Sequence, residues 1–319
     1  MNKDLKKFEE QNNIITDETL YFFDEKEQDK ILDARPWRSD PRYFKKCKIS
    51  LLALLKMLSH ARMAGSNEVM GLPLGKIQGD TFLIMDVFAL PVEATETRVS
   101  AGAECNEFMI QTIELLEKAG RKENVRGWYH SHPGYGPYLS GTDVMTQRLQ
   151  QVGDPMVAIV IDPIRTMVSG KIQIGAFRTY PQDYNAPDDD HREFQSIPLE
   201  KIEDYGIHYK SYYQLEVSFF KNSLDNQLIE ILWNKYWINT VTSSSLIVNN
   251  HYFVTGLNDL SSKISNQKSK SKKSDYLLTL DELLGKNSAQ EKEPLKYALE
   301  KNQAVLSESI KNLLFSYKI

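Results

Sequence analysis

The chain has 319 residues, 41% hydrophobic and 26% charged, which is typical of a soluble globular protein with one large, extended domain or two domains. The formal net charge of −4 argues against a nucleic-acid partner, because phosphates attract a basic surface. The only two cysteines, Cys47 and Cys105, exclude a disulfide framework and favour a reducing compartment. Residues 1–30 carry no secretory signal and no apolar run could span a bilayer, so we expect no membrane contact and a location in cytoplasm and nucleus.

Residues 1–45 form an N-terminal arm. Its first part, Met1–Lys30, is charged and poor in branched apolar residues, which predicts a loosely held segment. A proline-punctuated run follows, and its aromatic residues Trp37 and Tyr43 are candidates to anchor the arm on the domain.

Residues 46–182 form the predicted catalytic domain, in which helical and strand periodicities alternate. We expect helices over 46–64, 107–119 and 140–151, and strands over 69–77, 81–90, 124–132, 156–161 and 171–180. The strand over 156–161 is apolar throughout. The predicted fold class is therefore α/β, with a mixed sheet covered by helices on both faces.

Composition changes after this domain. Residues 183–260 read as a linker followed by long helices, with one amphipathic stretch from Tyr209 to Trp237. Residues 261–274 are dominated by Ser and Lys, which predicts a disordered linker. Residues 275–319 form a C-terminal helical segment, from Leu295 to Tyr317. The apolar faces of these helices favour assembly with partner subunits.

A His-x-His pair marks the candidate site. Residues two apart in a strand share a face, so His130 and His132 project the same way, about 7 Å apart along the strand. A turn follows, and then Ser140 and Asp143 at the start of a predicted helix. Two imidazole nitrogens and one carboxylate oxygen, with a position left for water, are typical of catalytic zinc.

Structural readings of the same residues stay open. Two histidines in a strand are more often surface or packing residues than ligands. Ser140-x-x-Asp143 is also the pattern of a helix N-cap, which is compatible with ligation because a cap determines where Asp143 points. A role for Gly134 and Gly136 as turn residues alone is an equally open interpretation.

The run Gly127–Gly136, followed by Leu139–Asp143, resembles the motif of the JAMM (MPN-plus) metalloproteases. That family removes ubiquitin or its relatives from lysine side chains. The resemblance implies an MPN (cytidine-deaminase-like) fold and one Zn²⁺ per chain, bound by His130, His132 and Asp143. It also implies that Glu68 is the general base and that Ser140 stabilises the oxyanion. Glu68 could not be chosen otherwise, since the chain holds 43 acidic residues.

Flanking segments resemble the signalosome branch of the family, among them Phe88–Arg98 and Gly175–Pro181. This implies removal of a Nedd-type modifier from a cullin. The implied partners are the other signalosome subunits, including a second MPN-domain subunit. It further implies that the loop 91–103 folds over the zinc site, where Glu96 and Arg98 are inhibitory.

Two alternatives remain: a proteasome-lid-type deubiquitinase, and a catalytically silent MPN scaffold, although such scaffolds typically lack the metal set that is present here. A zinc nucleobase deaminase is excluded because no H-x-E with P-C-x-x-C occurs. One departure from the family pattern is Pro137-Tyr138, where Cys-Trp is usual. Neither position is a ligand, so the departure bears on loop shape and substrate fit.

Overall fold

A computed structural model of the protein describes residues 3–92, 94–95, 98–99, 103–169, 171–182, 184, 208–233 and parts of 250–313. The chain divides into one compact unit of residues 1–238 with 317–319, and a second unit of residues 239–316. The first unit is an α/β fold built on a nine-stranded mixed sheet, as predicted.

Helices and strands are interleaved along the first unit. The helices are α1 Lys3–Gln11, α2 Glu25–Ala34, α3 Leu51–Met63, α4 Ala103–Lys118, α5 Gly141–Gln150, α6 Pro163–Ser169 and α7 Ser223–Leu232. The strands are β1 Ile14–Thr16, β2 Lys46–Ser50, β3 Met70–Gln78, β4 Thr81–Ala89, β5 Ala94–Thr95, β6 Arg98–Val99, β7 Asn124–Val125, β8 Gly127–Ser131, β9 Val157–Ile161, β10 Ile174–Thr179 and β11 Tyr212–Lys221.

The main sheet runs in the order β1, β11, β10, β9, β8, β3, β4, β2, with β7 beside β3. Strands β8 and β9 are parallel, whereas β3 pairs with both β4 and β8 in antiparallel fashion. The first half of β11 pairs with β10 and its second half pairs with β2, so the sheet curves back on itself. Strands β5 and β6 form a separate hairpin.

Helices cover both faces of the sheet, as the apolar strand β9 requires, since all five of its residues are buried. Successive side chains of β8 show the two faces. Tyr129 points to α3, where its hydroxyl lies 2.9 Å from Nδ1 of His60. Trp128 points to α5, where its Nε1 donates to Oε1 of Gln147 at 2.9 Å.

Residues 3–30, the described part of the segment predicted to be loosely held, pack on the domain, so that prediction was wrong. Strand β1 adds to the sheet beside β11, and Leu5 and Phe8 of α1 are buried. The Asn12 side chain accepts a hydrogen bond from the Ile172 amide at 2.9 Å. The segment therefore covers one end of the sheet, where Leu5 and Phe8 are buried. The predicted anchor Trp37 is confirmed, because it is buried and stacks on Phe44 at 5.6 Å, and Phe44 in turn packs on Phe82 of β4 at 4.2 Å.

The predicted helix over 46–64 is in fact a strand followed by a helix. Cys47 and Ile49 are fully buried and alternate with Lys46 and Lys48, which is a strand period. The side chain of Ser50 then caps α3 by accepting from the amide of Ala53 at 3.1 Å. The helical spacing of the leucines therefore holds only from residue 51 onward.

The interpretation of Tyr209–Trp237 as a long helix was also wrong. Most of its first part is β11, a full member of the sheet, and among the described residues of the stretch the α-helix covers Ser223–Leu232 alone. Aromatic and β-branched residues are dense in β11 and favour an extended strand. Asn222 ends the strand and caps α7, because its side chain accepts from the Asp225 amide at 2.6 Å.

In the second unit, the described residues are helical, including 304–313, which agrees with the predicted C-terminal helix. Of the predicted Ser/Lys linker, only 261, 262 and 265 are described, and the rest lies outside the described residues. Across the part of the chain that is described, no helix combines the length and apolar character needed to cross a bilayer.

Candidate metal centre

The two histidines lie at the end of β8, against its parallel neighbour β9. His130 is opposite Val160, and the amide of His132 donates to the carbonyl of Ile161 at 2.9 Å. Both side chains are almost fully buried. The ring of His130 stacks on Trp128, with centroids 4.8 Å apart and an angle of 16° between planes. Strand alternation therefore places Trp128 as the support of the His130 ring, as the spacing predicts.

Asp143 reaches the histidines from the first turn of α5. Ser140 and Asp143 form a capping box, in which the Asp143 amide donates to Ser140 Oγ at 3.2 Å and the Ser140 amide donates to Asp143 Oδ2 at 2.8 Å. The Ser140 hydroxyl also donates to Asp143 Oδ2, at 2.8 Å. The structural reading of Ser-x-x-Asp is thus confirmed, and it orients the carboxylate toward the histidines.

Three potential ligand atoms converge in this place. Nε2 of His130 lies 2.7 Å from Nε2 of His132 and 3.4 Å from Oδ2 of Asp143. The ligand atoms of the three residues all lie within 4.8 Å of one another. Among the described residues this is the one such His/Cys/Asp/Glu group.

The chemistry of these atoms fits a divalent metal ion. Nδ1 of His132 lies 3.0 Å from the carbonyl oxygen of Gly136, so Nδ1 carries the hydrogen and donates it. The Nε2 lone pair then faces Asp143 Oδ2 and Glu68 Oε1, each 4.0 Å away. Lone pairs and carboxylate oxygens that converge in a buried site repel one another unless a proton or a metal cation lies between them. Two imidazoles and a carboxylate are a ligand set that suits zinc.

The electrostatics of the chain favour positive charge at the same point. Burial alone would lower the pKa of His130, but the carboxylates of Asp143 and Glu68 together outweigh burial and raise that pKa above its ordinary value. Burial alone would raise the pKa of Asp143, but the facing imidazoles of His130 and His132 hold it far below its usual range. Asp143 is therefore ionised, as a metal ligand must be.

Glu68 completes the site from a different strand. Its side chain is buried, and it lies two residues before the start of β3, where Met70 pairs with His130. Glu68 was found only through the family resemblance. No local spacing links it to the histidines, because the antiparallel register of β3 and β8 brings the two segments together.

Two further residues at the site escaped the sequence analysis. Gln147 holds the Trp128 indole, and Asp162 lies directly after β9, under the turn that follows His132. A signal for Asp162 was present, because the carboxyl ends of parallel neighbours such as β8 and β9 meet at one edge of the sheet.

The unusual pair Pro137-Tyr138 directly follows this turn in the chain. Tyr138 is buried, and a Cβ on Gly136 would meet its ring at 2.6 Å. Tyr138 therefore packs against the turn and contributes to its shape. The prediction of an inhibitory loop stays a prediction. Glu96 lies outside the described residues, and of Arg98 only the backbone is described, in the hairpin β5–β6.

Comparison with known proteins agrees with this geometry. The family model described as "JAB1/Mov34/MPN/PAD-1 ubiquitin protease" matches residues 42–155. The COP9 signalosome complex subunit 5 of Dictyostelium discoideum is 50% identical over 319 residues, which cover 98% of this chain and 95% of the relative. The COP9 signalosome complex subunit 5a of Arabidopsis thaliana is 47% identical, and the alignment covers 98% of this chain and 91% of the relative. Subunit 5 of Drosophila melanogaster is 53% identical over 81% of this chain and 80% of its own.

The matched region of the family model contains the whole metal centre, from Glu68 to Asp143. The relatives extend the similarity across nearly the full chain at about half identity, including β11 and α7 beyond the family model. The chain therefore belongs to the JAB1/Mov34/MPN/PAD-1 family and, within it, to the group of COP9 signalosome complex subunit 5 proteins.

Proposed function

We propose that the protein is a zinc-dependent isopeptidase that removes a Nedd-type ubiquitin-like modifier from cullins, as the catalytic subunit of a signalosome. The observation that carries the proposal is the convergence of His130, His132, Asp143 and Glu68 in one buried site. A catalytically silent scaffold would need none of these four side chains. In this chain all four are present, and their side chains lie close to one another.

Zinc, when bound, would polarise the isopeptide carbonyl and lower the pKa of a water towards about 7. His130, His132 and Asp143 would hold the ion. Glu68 is a carboxylate within the same site, 4.0 Å from Nε2 of His132, and it would take the proton of the attacking water. The same carboxylate would then return that proton to the departing lysine amine.

Ser140 has two roles in this proposal. Its hydroxyl donates to Asp143 Oδ2, which stabilises the negative charge of the ligand. Because a hydroxyl rotates freely about its C–O bond, the same donor could turn toward the oxyanion of the reacting carbonyl. The position of Ser140 at the N-terminus of α5 adds a positive end of a helix dipole there.

A cysteine mechanism is unfavourable in this chain. Cys47 and Cys105 are both buried, and burial raises the pKa of both thiols. A reactive thiolate needs a lowered pKa and access to substrate. Hydrolysis by an activated water, without a covalent intermediate, is therefore the mechanism that the residues support.

Assembly and regulation belong to the same proposal. The relatives are named as subunits of a complex, so we expect this chain to bind other signalosome subunits, among them a second MPN-domain subunit. The C-terminal segment of residues 275–319 is the expected region of assembly. The loop containing Glu96 and Arg98 is expected to restrain the free chain until a partner moves it.

Two fluorogenic conjugates, one of ubiquitin and one of a Nedd-type modifier, test the function. They are given to the purified chain and to its parent complex, each with an Asp143→Asn control. Zinc-dependent cleavage of the Nedd-type conjugate by the complex is expected. Preference for the ubiquitin conjugate would favour the deubiquitinase alternative, which the description of the family model also favours. A zinc-loaded complex that cleaves neither conjugate would favour the silent scaffold.

A further inference from the structure

A buried carboxylate lies beneath the turn that follows the two histidines. Asp162 has no exposed surface, and it directly follows β9. Its two oxygens accept hydrogen bonds from four backbone amides. These are Gly134 at 3.0 Å, Ile164 at 3.0 Å and Arg165 at 2.9 Å on Oδ1, and Gly136 at 2.9 Å on Oδ2. A carboxylate is stable without water only where such donors face it.

Helix capping explains only one of the two oxygens. The amides of Ile164 and Arg165 belong to the first turn of α6, and Oδ1 satisfies both of them. Oδ2 does not contact α6 amides. It accepts from Gly136, on the other side of the carboxylate, and lies 3.5 Å from Nε of Arg165. The second oxygen thus serves the turn.

Gly136 connects Asp162 to the metal centre. Its amide donates to Asp162, and its carbonyl accepts the Nδ1 hydrogen of His132 at 3.0 Å. The residue has a φ of +98°, a conformation that glycine adopts readily and other residues rarely do. Holding its amide in this conformation therefore also determines where its carbonyl points.

We propose that Asp162 is a positioning residue of the metal centre. Through Gly136 it fixes the ring of His132 and the tautomer that carries hydrogen on Nδ1. That tautomer presents the Nε2 lone pair to His130 and Asp143. Arg165 also supports the turn, since its Nε donates to the Gly134 carbonyl at 3.2 Å. This inference rests on the proposed function, because it assigns Asp162 to the same metal site.

The variant Asp162→Asn separates the two oxygens. The amide oxygen is expected at the Oδ1 position, which serves three backbone amides, and the NH₂ group at the Oδ2 position. There the NH₂ group faces the Gly136 N–H, and two donors cannot form a hydrogen bond. The hydrogen bonds to the α6 amides are therefore kept, and the hydrogen bond to Gly136 is lost. Zinc affinity, measured by competition with a chromophoric chelator, is expected to fall by roughly 10- to 100-fold. The visible spectrum of the cobalt-substituted protein is expected to change, because it reports the geometry of the ligands.

Thr166→Val is the matched control. The Thr166 hydroxyl donates to the Asp162 carbonyl at 2.7 Å and accepts from the Gln173 amide at 2.9 Å, and neither hydrogen bond involves a residue of the turn. This variant is expected to lower the melting temperature and to leave zinc affinity and the cobalt spectrum as in wild type. If Asp162→Asn behaves in the same way, Asp162 is only a cap and the proposal is wrong.

A second variant covers the case in which Asp162→Asn does not fold. Arg165→Gln, at a partly exposed position, is then used instead and is expected to weaken zinc binding several-fold. Wild-type affinity in that variant would overturn the proposal.

Failure of the positioning role and failure of the proposed function give different results. If wild type binds zinc no better than His130→Ala does, the metal site itself, and with it the proposed function, is wrong. If wild type binds zinc tightly and the Asp162 and Arg165 variants match it, only the positioning role fails.

Discussion

The amide of Val69 donates to the side-chain oxygen of Ser131 at 3.1 Å, and the amide of Ser131 donates to the carbonyl of Val69 at 3.1 Å. Ser131 stands between the two histidines, and Val69 follows Glu68. This pair of hydrogen bonds therefore ties the candidate base to the candidate ligands. The Ser131 side chain points away from the metal centre, so its contribution to the site runs through the backbone of the neighbouring strand.

Ser131→Ala is expected to lower kcat with little change in zinc content. The lost hydroxyl leaves the Val69 amide buried without that acceptor, which costs about 1–3 kcal/mol of stability and loosens Glu68. Ser50→Ala is the matched control, because Ser50 is an equally buried serine whose hydroxyl caps α3 far along the chain from the site. A comparable loss of stability with unchanged kcat is expected there. Equal kcat in both variants would show that Ser131 does not position Glu68.

Asp143→Asn is expected to lose most of the bound zinc, of which wild type should hold about one ion per chain. The change also disturbs the α5 capping box, so a control for capping is needed. Asp225→Asn supplies it, because Asp225 occupies the same position in the α7 capping box and belongs to no cluster of metal-ligating side chains among the described residues. Elemental analysis should show low zinc in the first variant and normal zinc in the second. Normal zinc in both would remove Asp143 from the ligand set.

Glu68→Gln is expected to keep zinc and the fold and to lower hydrolysis by about 10²- to 10⁴-fold, since an amide cannot accept the proton of water. Single-turnover cleavage of the fluorogenic conjugate gives the rate, and elemental analysis gives the zinc content. Glu123→Gln is the control carboxylate, paired with Arg121 at 3.0 Å and remote from the ligands. Wild-type turnover in the Glu68 variant would exclude it as the base.

His60 should make the fold sensitive to mild acid. Burial lowers the pKa of His60 from 6.5 to about 4. A histidine whose pKa is depressed on folding binds its proton more tightly in the unfolded chain. Stability is therefore full above the unfolded pKa of 6.5 and declines as the pH falls from there toward 4. The difference amounts to about 2 kcal/mol between pH 7 and pH 5.

His60→Gln removes this titration but keeps a polar partner for the Tyr129 hydroxyl. Urea unfolding of wild type and variant, both with chelator present, cancels the contribution of the metal ligands. We expect the variant to lose less stability than wild type between pH 7 and pH 5, by about 2 kcal/mol. Parallel pH profiles for the two proteins would contradict the assignment to His60.

Local spacing was enough to predict part of the site. His130 and His132 share one face because strand side chains alternate, and Ser140 orients Asp143 because a capping box joins residues only three positions apart. Both relations depend on neighbours in sequence, which the amino-acid order states directly. The same holds for β9, whose five apolar residues predict a strand buried on both faces.

Segments whose environment is distant in sequence were predicted less well. The stretch 212–221 has an apolar pattern that serves a helix or a strand, and its pairing with β10 and β2 makes it a strand. The polar composition of the N-terminal residues predicts no packing on the domain, yet Leu5 and Phe8 are buried. Tertiary partners decide such segments because burial, not propensity, supplies most of their stability.

The amino-acid sequence by itself determined the ligand chemistry: two imidazoles and one carboxylate at spacings that a strand and a helix N-terminus bring into line. The tertiary structure alone decided what surrounds them. Glu68 reaches the histidines through the pairing of Met70 with His130, and Asp162 reaches Gly136 because β8 and β9 end at one edge. These relations depend on strand register between distant segments, and register is a property of the assembled sheet, which no local pattern of residues specifies.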